Sequence, residues 1–123
     1  MTYGFTVGSR SRAGREDWKT YYDNSILADG AEMQSIVDCA KEHSVYVSVG
    51  YSERDAVTAT LYNSNIMIAP DGQTMNHRKL KSTGSDRVNW GDADKDFFPL
   101  METPWGPMGN LICWESYMPL ARV

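Results

Sequence analysis

The chemistry that this chain could perform centres on Cys113, where an apolar segment, Leu111-Ile112, gives way to a polar one. A thiol at the end of a strand that faces the start of a helix feels the positive end of the peptide dipoles, which favours the reactive thiolate. The alternative is that Cys113 is a small buried hydrophobic residue, as many cysteines are. Position alone leaves both interpretations open.

Lys79 is the second candidate, because it closes a predicted strand with the sequence Asn76-His77-Arg78-Lys79. Near a thiolate, an ammonium would hold the sulfur ionised and stabilise the oxyanion that forms on attack. The alternative is a solvated lysine on the surface. His77 could act as a base, or it could be an exposed histidine next to a turn.

The remaining cysteine and histidine are assigned no chemistry. Cys39 flanks the apolar stripe of a predicted helix, and we expect it to pack in the core. His43 ends that helix, where it complements the helix dipole. No pair of cysteines is close enough in sequence to bind zinc or cycle a disulfide, and neither histidine has a second ligand at metal spacing. The sequence therefore predicts no metal site.

Two helices are expected ahead of the strands that carry these residues. Residues 16–26 place Trp18, Tyr21, Tyr22 and Ile26 along one side. The second helix has Asp29 as its candidate N-cap and continues with a three–four spacing typical of a buried stripe. That stripe consists of Met33, Ile36, Val37 and Ala40. Residues 1–14, rich in Gly, Ser and Arg, are interpreted as an exposed loop.

Alternation of apolar residues over 45–49 predicts a strand that a polar break at 52–55 ends. A second strand over 60–69 and a third over 74–78 flank the turn Pro70-Asp71-Gly72. The remaining elements are a long loop over 81–96, strands over 97–101 and 108–113 around a turn at 104–107, and a helix that starts at Pro119. Helices that alternate with strands and hairpins indicate an α/β or α+β layered fold.

Composition argues against several functional classes. The 123 residues suffice for one domain, and 41% hydrophobic with 23% charged residues is ordinary for a soluble globular protein. The formal net charge is −4 and basic residues are scattered, so nucleic acid is not an expected partner. No apolar run could span a bilayer, and the N-terminus lacks the hydrophobic stretch of a secretory signal. A cytoplasmic location without membrane association is the expectation.

Six short strings occur in a fixed order along this chain. They are Gly50-Tyr51-Ser52-Glu53-Arg54-Asp55, Thr60-Leu61-Tyr62-Asn63-Ser64, His77-Arg78-Lys79-Leu80-Lys81, Trp90-Gly91-Asp92, Cys113-Trp114-Glu115 and Met118-Pro119-Leu120. In these strings and their order the chain resembles the nitrilase branch of the carbon–nitrogen hydrolase superfamily. The resemblance covers about residues 4–122 but corresponds only to the interior of the family's longer sequence. It implies part of a four-layer α-β-β-α sandwich, a homo-oligomer and no cofactor.

The resemblance implies a Glu–Lys–Cys triad with Cys113 as the nucleophile and Lys79 as the lysine. The thiol would attack the carbon of a nitrile to give a thioimidate, and water would then release ammonia and a carboxylic acid. Lys79 and the backbone N–H of Trp114 would stabilise the anionic intermediates. Glu115 would orient its partners, and Asp86 would replace the auxiliary glutamate that helps to set the lysine and the cysteine.

Two departures from the family pattern bear on activity. The family's general-base glutamate lies in a Phe-Pro-Glu context that this chain does not contain, and Glu16, Glu32 and Glu53 stand in other contexts. Asp86 is one methylene shorter than the usual glutamate, which withdraws the carboxylate and impairs a positioned site. We therefore expect one partial domain over residues 1–123, lacking the family's N-terminal strand and C-terminal portion. By itself this chain is expected not to turn over substrate.

Three functions remain open at this point. The first is a nitrilase-type hydrolase that acts on a small-molecule nitrile or amide. The second is an inactive nitrilase-like fragment or assembly module, and the third is a related amidase or cyanide-hydrating enzyme. The substrate side chain is not specified by these residues. An in-frame Phe-Pro-Glu segment in the upstream coding sequence would favour the enzyme, whereas a stop would favour the fragment.

Overall fold

The computed structural model describes residues 12–122, which form two helices, five strands and three 3-10 turns. This combination confirms the α/β layered class. None of the described helices is long and apolar enough to cross a membrane. In chain order the elements are α1 Arg12–Asp23, α2 Ala31–His43, β1 Val47–Arg54, β2 Leu61–Ile68, β3 Thr74–Arg78, the turn Gly84–Val88, β4 Leu100–Met101, β5 Met108–Gly109, and the turns Cys113–Tyr117 and Pro119–Ala121.

The first helix begins and ends earlier than the apolar pattern predicts. Residues 12–14, predicted as loop, are helical, and the rest of that predicted loop lies outside the described residues. Ile26 has left the helix and forms a parallel bridge with Glu53 of β1. The N-cap of α2 is Gly30 rather than Asp29, and no side chain caps it. A Cβ on Gly30 would lie 3.2 Å from Leu27 Cβ, so the tight entry to the helix favours glycine.

Three antiparallel strands in the order β1-β2-β3 form the main sheet. One face packs against α2, because alternate residues of each strand point to the same side. The opposite face packs against β4 and the chain before β1. The first core contains Met33, Val37, Ala40, Ile66 and Ile68 with Val47 and Val49 at its edge, and the second contains Met67, Ala69, Met75 and Met101 with Tyr46.

The predicted end of the first strand at residues 52–55 is wrong. β1 continues to Arg54, which pairs with Leu61 of β2. The polar residues remain in the strand because Glu53, only 3% exposed, finds partners on β2 and β3. Tertiary hydrogen bonding therefore outweighs the polar character of this stretch.

The later strands are much shorter than predicted. Only Leu100–Met101 and Met108–Gly109 pair, and Pro99, Pro104 and Pro107 lie beside or between them without an N–H to donate. Cys113 consequently begins a 3-10 turn instead of ending a strand, and the predicted loop over 81–96 contains another such turn. The last predicted helix is a single 3-10 turn that starts at Pro119.

Cys39 does not pack in the core as expected. Its side chain is exposed, because it lies to one side of the stripe that Met33, Val37 and Ala40 bury against the sheet. Although Cys39 is adjacent in sequence to the apolar stripe, the helical period directs its side chain away from the interface between α2 and the sheet.

A network of ion pairs occupies the helix-facing side of the sheet around Arg78. Its guanidinium donates to Glu53, to Asp55 at 2.8 Å and to Asp94 at 2.9 Å, and lies 4.0 Å above the Tyr62 ring. Burial alone would raise the pKa of Glu53, but hydrogen bonds from Arg78, Ser64 and Asn76 outweigh it and hold that pKa below its ordinary value. The network therefore joins β1, β2 and β3 at one end.

Replacing Arg78 should destabilise the chain far more than removing a surface cation. In Arg78→Met the Glu53 carboxylate stays buried without its counter-ion, and the free energy of unfolding should fall by about 3–5 kcal/mol. Lys19→Ala is the control, since Lys19 and Asp23 are 70% and 52% exposed and solvent screens their ion pair. Urea unfolding followed by circular dichroism measures both, and equal midpoints for the two variants would contradict the role of the network.

Candidate active site

The end of β3 presents two buried polar residues on the face opposite α2. His77 and Lys79 are 1% and 2% exposed, whereas Asn76 and Arg78 point to the helix side. Lys79 continues the ladder by one residue, because its N–H donates to Asn63 O at 2.8 Å. The alternatives of an exposed histidine and a solvated lysine are therefore wrong.

Lys79 is paired with the acid that the sequence placed near it. Asp86 is the third residue of the turn Gly84–Val88, and its Oδ2 lies 2.7 Å from Lys79 Nζ. The same oxygen accepts the N–H of Thr83, which precedes the turn, at 3.4 Å. Although aspartate is one methylene shorter than glutamate, the contact with the lysine is made.

Glu115 occupies the equivalent position in the turn Cys113–Tyr117 and is fully buried. Its Oε2 lies 2.8 Å from His77 Nε2 and accepts the N–H of Ile112 at 2.6 Å. Its Oε1 accepts the N–H of Leu80, also at 2.6 Å. One carboxylate thus binds the residue after Lys79 and the residue before Cys113.

These hydrogen bonds decide the charge of Glu115. Burial alone would raise the pKa of its carboxyl, but the bonds from His77 and from the backbone of Leu80 and Ile112 outweigh burial. The pKa of Glu115 therefore lies below its ordinary value, and the group is a carboxylate at neutral pH.

Cys113 has an unusual backbone conformation at the start of its turn. Its φ is 58°, in the left-handed region that non-glycine residues seldom adopt. Such a conformation costs about 1–3 kcal/mol and persists where the surroundings impose it. The Ser116 hydroxyl donates to Cys113 O at 3.0 Å, and the side chain of Cys113 is half-buried.

A cavity of about 610 Å³ brings Cys113 together with Lys79, Asp86 and Trp114. Its size is that of a site for a small molecule. Glu115 and His77 are not part of its lining, which agrees with a position behind the turn. The rest of the lining includes two aromatic residues in edge contact, Tyr21 and Trp90, and the polar residues Ser52, Asn63, Asn65 and Asn89. A thiol and an ammonium that share such a cavity can attack an electrophilic carbon and bind the anion that results.

The sequence profile of the carbon-nitrogen hydrolase family matches residues 2–123 of this chain. The chain belongs to the carbon–nitrogen hydrolase family. Among curated proteins it is 38% identical over 120 residues to an aliphatic nitrilase of Sinorhizobium fredii (strain HH103) and 36% identical over 121 residues to nitrilase 2 of Arabidopsis thaliana. It is also 42% identical over 106 residues to a cyanide hydratase of Botryotinia fuckeliana (strain T4). These relatives confirm the resemblance to the nitrilase branch.

The chain spans about a third of the length of these relatives. The three matches cover 98%, 98% and 85% of this chain and 38%, 35% and 28% of the relatives. Solved structures share the fold at lower identity. Saccharomyces cerevisiae Nit3, a member of branch 10 of the nitrilase superfamily, matches with a TM-score of 0.70 and 20% identity, over 86% of this chain and 39% of that one. A CN-hydrolase superfamily protein of Xanthomonas campestris matches with a TM-score of 0.69 and 14% identity, over 82% and 37%.

Sequence reasoning missed the position of His77 and the aromatic wall of the cavity. The signal for His77 was present, because it stands two residues before Lys79 in a strand and must share its face. Trp90 belongs to one of the six family strings, but the resemblance assigns it no role. Glu53, which stands outside the family's Phe-Pro-Glu context, is bound by Arg78 on the opposite face. Among the described residues, no group of His, Cys, Asp and Glu could hold a metal ion.

Glu115 should make the stability of this hydrolase domain depend on pH. Because its folded-state pKa lies below the unfolded-state value, its contribution is full above the ordinary glutamate pKa of 4.5 and is lost as the pH falls through the lowered value. Glu115→Gln should lower the free energy of unfolding at pH 7 by about 1.5–3 kcal/mol and flatten its acid decline. Urea unfolding over a pH series measures this, with the exposed Glu42→Gln as the control at pH 7. An equally steep acid decline in Glu115→Gln would be inconsistent with the assignment.

Proposed function

We propose that this chain carries the nucleophile and the lysine of a nitrilase-type hydrolase, which converts a nitrile to a carboxylic acid and ammonia. The observation that supports this most strongly is that Cys113 and the buried Lys79 line one small-molecule cavity, with Lys79 held by Asp86. The nitrilases among its relatives support the choice of a nitrile as the substrate class.

In the first half of the proposed reaction, Cys113 Sγ forms a bond to the nitrile carbon, and one C–N π bond becomes a lone pair on nitrogen. Protonation of that nitrogen gives a thioimidate. An ammonium has three N–H donors, and Asp86 accepts one of those of Lys79, so the others can bind the developing anion. The backbone N–H of Trp114, next to the nucleophile, is a second proposed donor.

In the second half, water adds to the thioimidate carbon and ammonia leaves, which produces a thioester. A second water cleaves the thioester, releases the carboxylic acid and restores the thiol. Both additions require a general base. In this proposal the base is a glutamate outside the described residues, because Asp86, the one carboxylate in the described lining of the cavity, is bound to Lys79.

Cyanide hydration is the second candidate, favoured by the 42% identity to a cyanide hydratase. It shares the attack of Cys113 and the addition of water, but the thiol leaves instead of ammonia and an amide is released. The same residues therefore serve both reactions, and the product distinguishes them. An inactive fragment or assembly module and a related amidase are the remaining alternatives.

We propose that the protein is a homo-oligomer and retain the cytoplasmic location as part of the proposal. The support for assembly is a set of large apolar side chains that stay exposed around β4, β5 and the last turns. They include Leu100 (63% exposed), Trp105 (78%), Tyr117 (75%) and Leu120 (85%). Large apolar side chains exposed together are typical of a surface that contacts other protein, which we propose to be a second copy of this protein.

The proposed reaction can be tested in a chimera, because the chain spans only part of its relatives. The 120 residues that match the aliphatic nitrilase of Sinorhizobium fredii would replace the corresponding segment of that enzyme, and ammonia release from aliphatic and aromatic nitriles would be measured. We expect turnover, which Cys113→Ala abolishes and Lys79→Met lowers by about 100- to 1000-fold, the usual cost of losing one oxyanion donor.

Three outcomes separate the candidates. Amide instead of acid and ammonia would select cyanide-type hydration, and a folded but inactive chimera would select the inactive fragment. Turnover that survives Cys113→Ala would overturn the mechanism. The exposed substitution Cys39→Ala is the matched control, and it should leave ammonia release unchanged. Ammonia release by the 123-residue chain alone would show that one of its own residues serves as the base.

Thiol reactivity provides a test that needs no substrate. Cys39 is the more exposed cysteine, but Lys79 lines the same cavity as Cys113 and is the group that we propose stabilises negative charge on Cys113 Sγ during attack. Iodoacetamide at pH 7 should therefore alkylate Cys113 faster than Cys39 in the folded chain, and the difference should disappear in urea. Brief labelling followed by peptide mapping measures both rates. Faster labelling of Cys39 in the folded chain would count against Cys113 as the nucleophile.

A further inference from the structure

His77 is buried, bound to Glu115 and separate from the cavity, so the proposed reaction leaves it without a role. It is 1% exposed, its ring lies 5.6 Å from the Phe98 ring, and its Nε2 is 2.8 Å from Glu115 Oε2. A histidine buried beside a carboxylate is costly to keep unless its hydrogen bond contributes to the structure. Because His77 lies two residues before Lys79 on the same face of the chain, we expect the His77–Glu115 hydrogen bond to affect the active site.

The hydrogen bonds around Glu115 determine the form of His77. The carboxylate already accepts two backbone N–H groups, so it is an acceptor, and His77 Nε2 must carry the proton. His77 Nδ1 is buried and has no hydrogen-bond partner among the described residues, which favours the unprotonated nitrogen over a second N–H. His77 is therefore the donor, through Nε2–H, in its hydrogen bond to Glu115.

Glu115 joins the two halves of the site through backbone groups. Leu80, whose N–H it accepts, directly follows Lys79, and Ile112, whose N–H it accepts, directly precedes Cys113. Through these two bonds the carboxylate connects the residue after the lysine to the residue before the cysteine. His77 donates a side-chain hydrogen bond to the same carboxylate and fixes its orientation from the β3 side.

The strained backbone of Cys113 explains why such a fixed carboxylate is needed. A φ of 58° at a cysteine persists only while its surroundings impose it. If Glu115 Oε2 lost its bond to His77, the oxygen would be held by Ile112 alone and could turn toward another donor. The start of the turn would then relax toward an ordinary φ and move the thiol away from Lys79.

We propose that His77 is a positioning residue that holds the Cys113 thiol in its reactive position through Glu115. This proposal rests on the proposed function, since it assigns the His77–Glu115 pair to the same nucleophile. His77 itself touches neither substrate nor the reacting atoms, and its effect is on the geometry of Cys113.

The test compares three variants of the 123-residue chain by the rate at which iodoacetamide labels Cys113 at pH 7. His77→Leu keeps the volume and removes the donor, and it should slow labelling by about 10- to 100-fold, the cost of misplacing a reacting group by roughly an ångström. His77→Gln can still donate an N–H to Glu115 and should restore most of the rate. Met75→Ala is the control, because Met75 is buried on the same face of β3 but belongs to the apolar cluster of Met67, Ala69 and Met101.

A purely structural role predicts a different pattern. All three substitutions would then lower the urea midpoint, and labelling of Cys113 in the folded chain would be unchanged or would follow stability across the set. Either result, or a failure of His77→Gln to recover the rate in a folded protein, would overturn the proposal. The labelling rate does not depend on nitrile turnover. An inactive chimera with the expected labelling pattern would therefore reject the proposed function and leave the positioning role intact.

Discussion

The geometry of the site depends on one constraint, the alternation of side chains at the end of β3. His77 and Lys79 face the cavity side, and Arg78 between them faces α2. Each cavity-side residue meets a carboxylate at the third position of a 3-10 turn, Asp86 for the lysine and Glu115 for the histidine. A shift of β3 by one residue would exchange both faces and break both pairs at once.

The ion-pair network around Arg78, on the face of the sheet that packs against α2, fixes the register of β3 and therefore this alternation. Arg78 binds acids from β1 and from the loop after β3, and Glu53 also binds Ser64 of β2 and Asn76 of β3. Buried ion networks contribute little net stability compared with apolar packing, but breaking one is costly, so they penalise other registers. The network and the packing of α2 against β1 and β2 together fix the position of the end of β3. Lys79 directly follows this strand end.

The parts of the fold that sequence could predict are those in which burial follows from residue type. β2, β3 and the stripe of α2 have apolar residues at strand or helix spacing, and their positions agree with the structure. The extension of β1 could not be predicted in this way, because Glu53 is buried by a partner 25 positions away. Residue type and family resemblance predict Cys113 and Lys79 as site residues and Asp86 as a neighbour of Lys79, and the structure places all three in the lining of one cavity. The burial of His77 depends on Glu115, 38 positions later, and such contacts become visible only when the turn folds back onto β3.

The turns Gly84–Val88 and Cys113–Tyr117 share one hydrogen-bonding pattern. This pattern explains how such short elements can hold a buried carboxylate or a strained backbone. In each, the third residue is an acid that reaches back to the N–H before the turn and outward to β3. The backward bond closes the turn, and the outward bond sets its distance from the sheet. Residues 92–112, which contain the two-residue strands β4 and β5, also contribute to this arrangement. Asp92 accepts the N–H of Ser82 close to the first turn, Asp94 binds Arg78, and the Phe98 ring lies 5.6 Å from the ring of His77. The site is consequently built from four side chains and two turns at a single strand end, and the segment between the turns packs against both faces of that strand end.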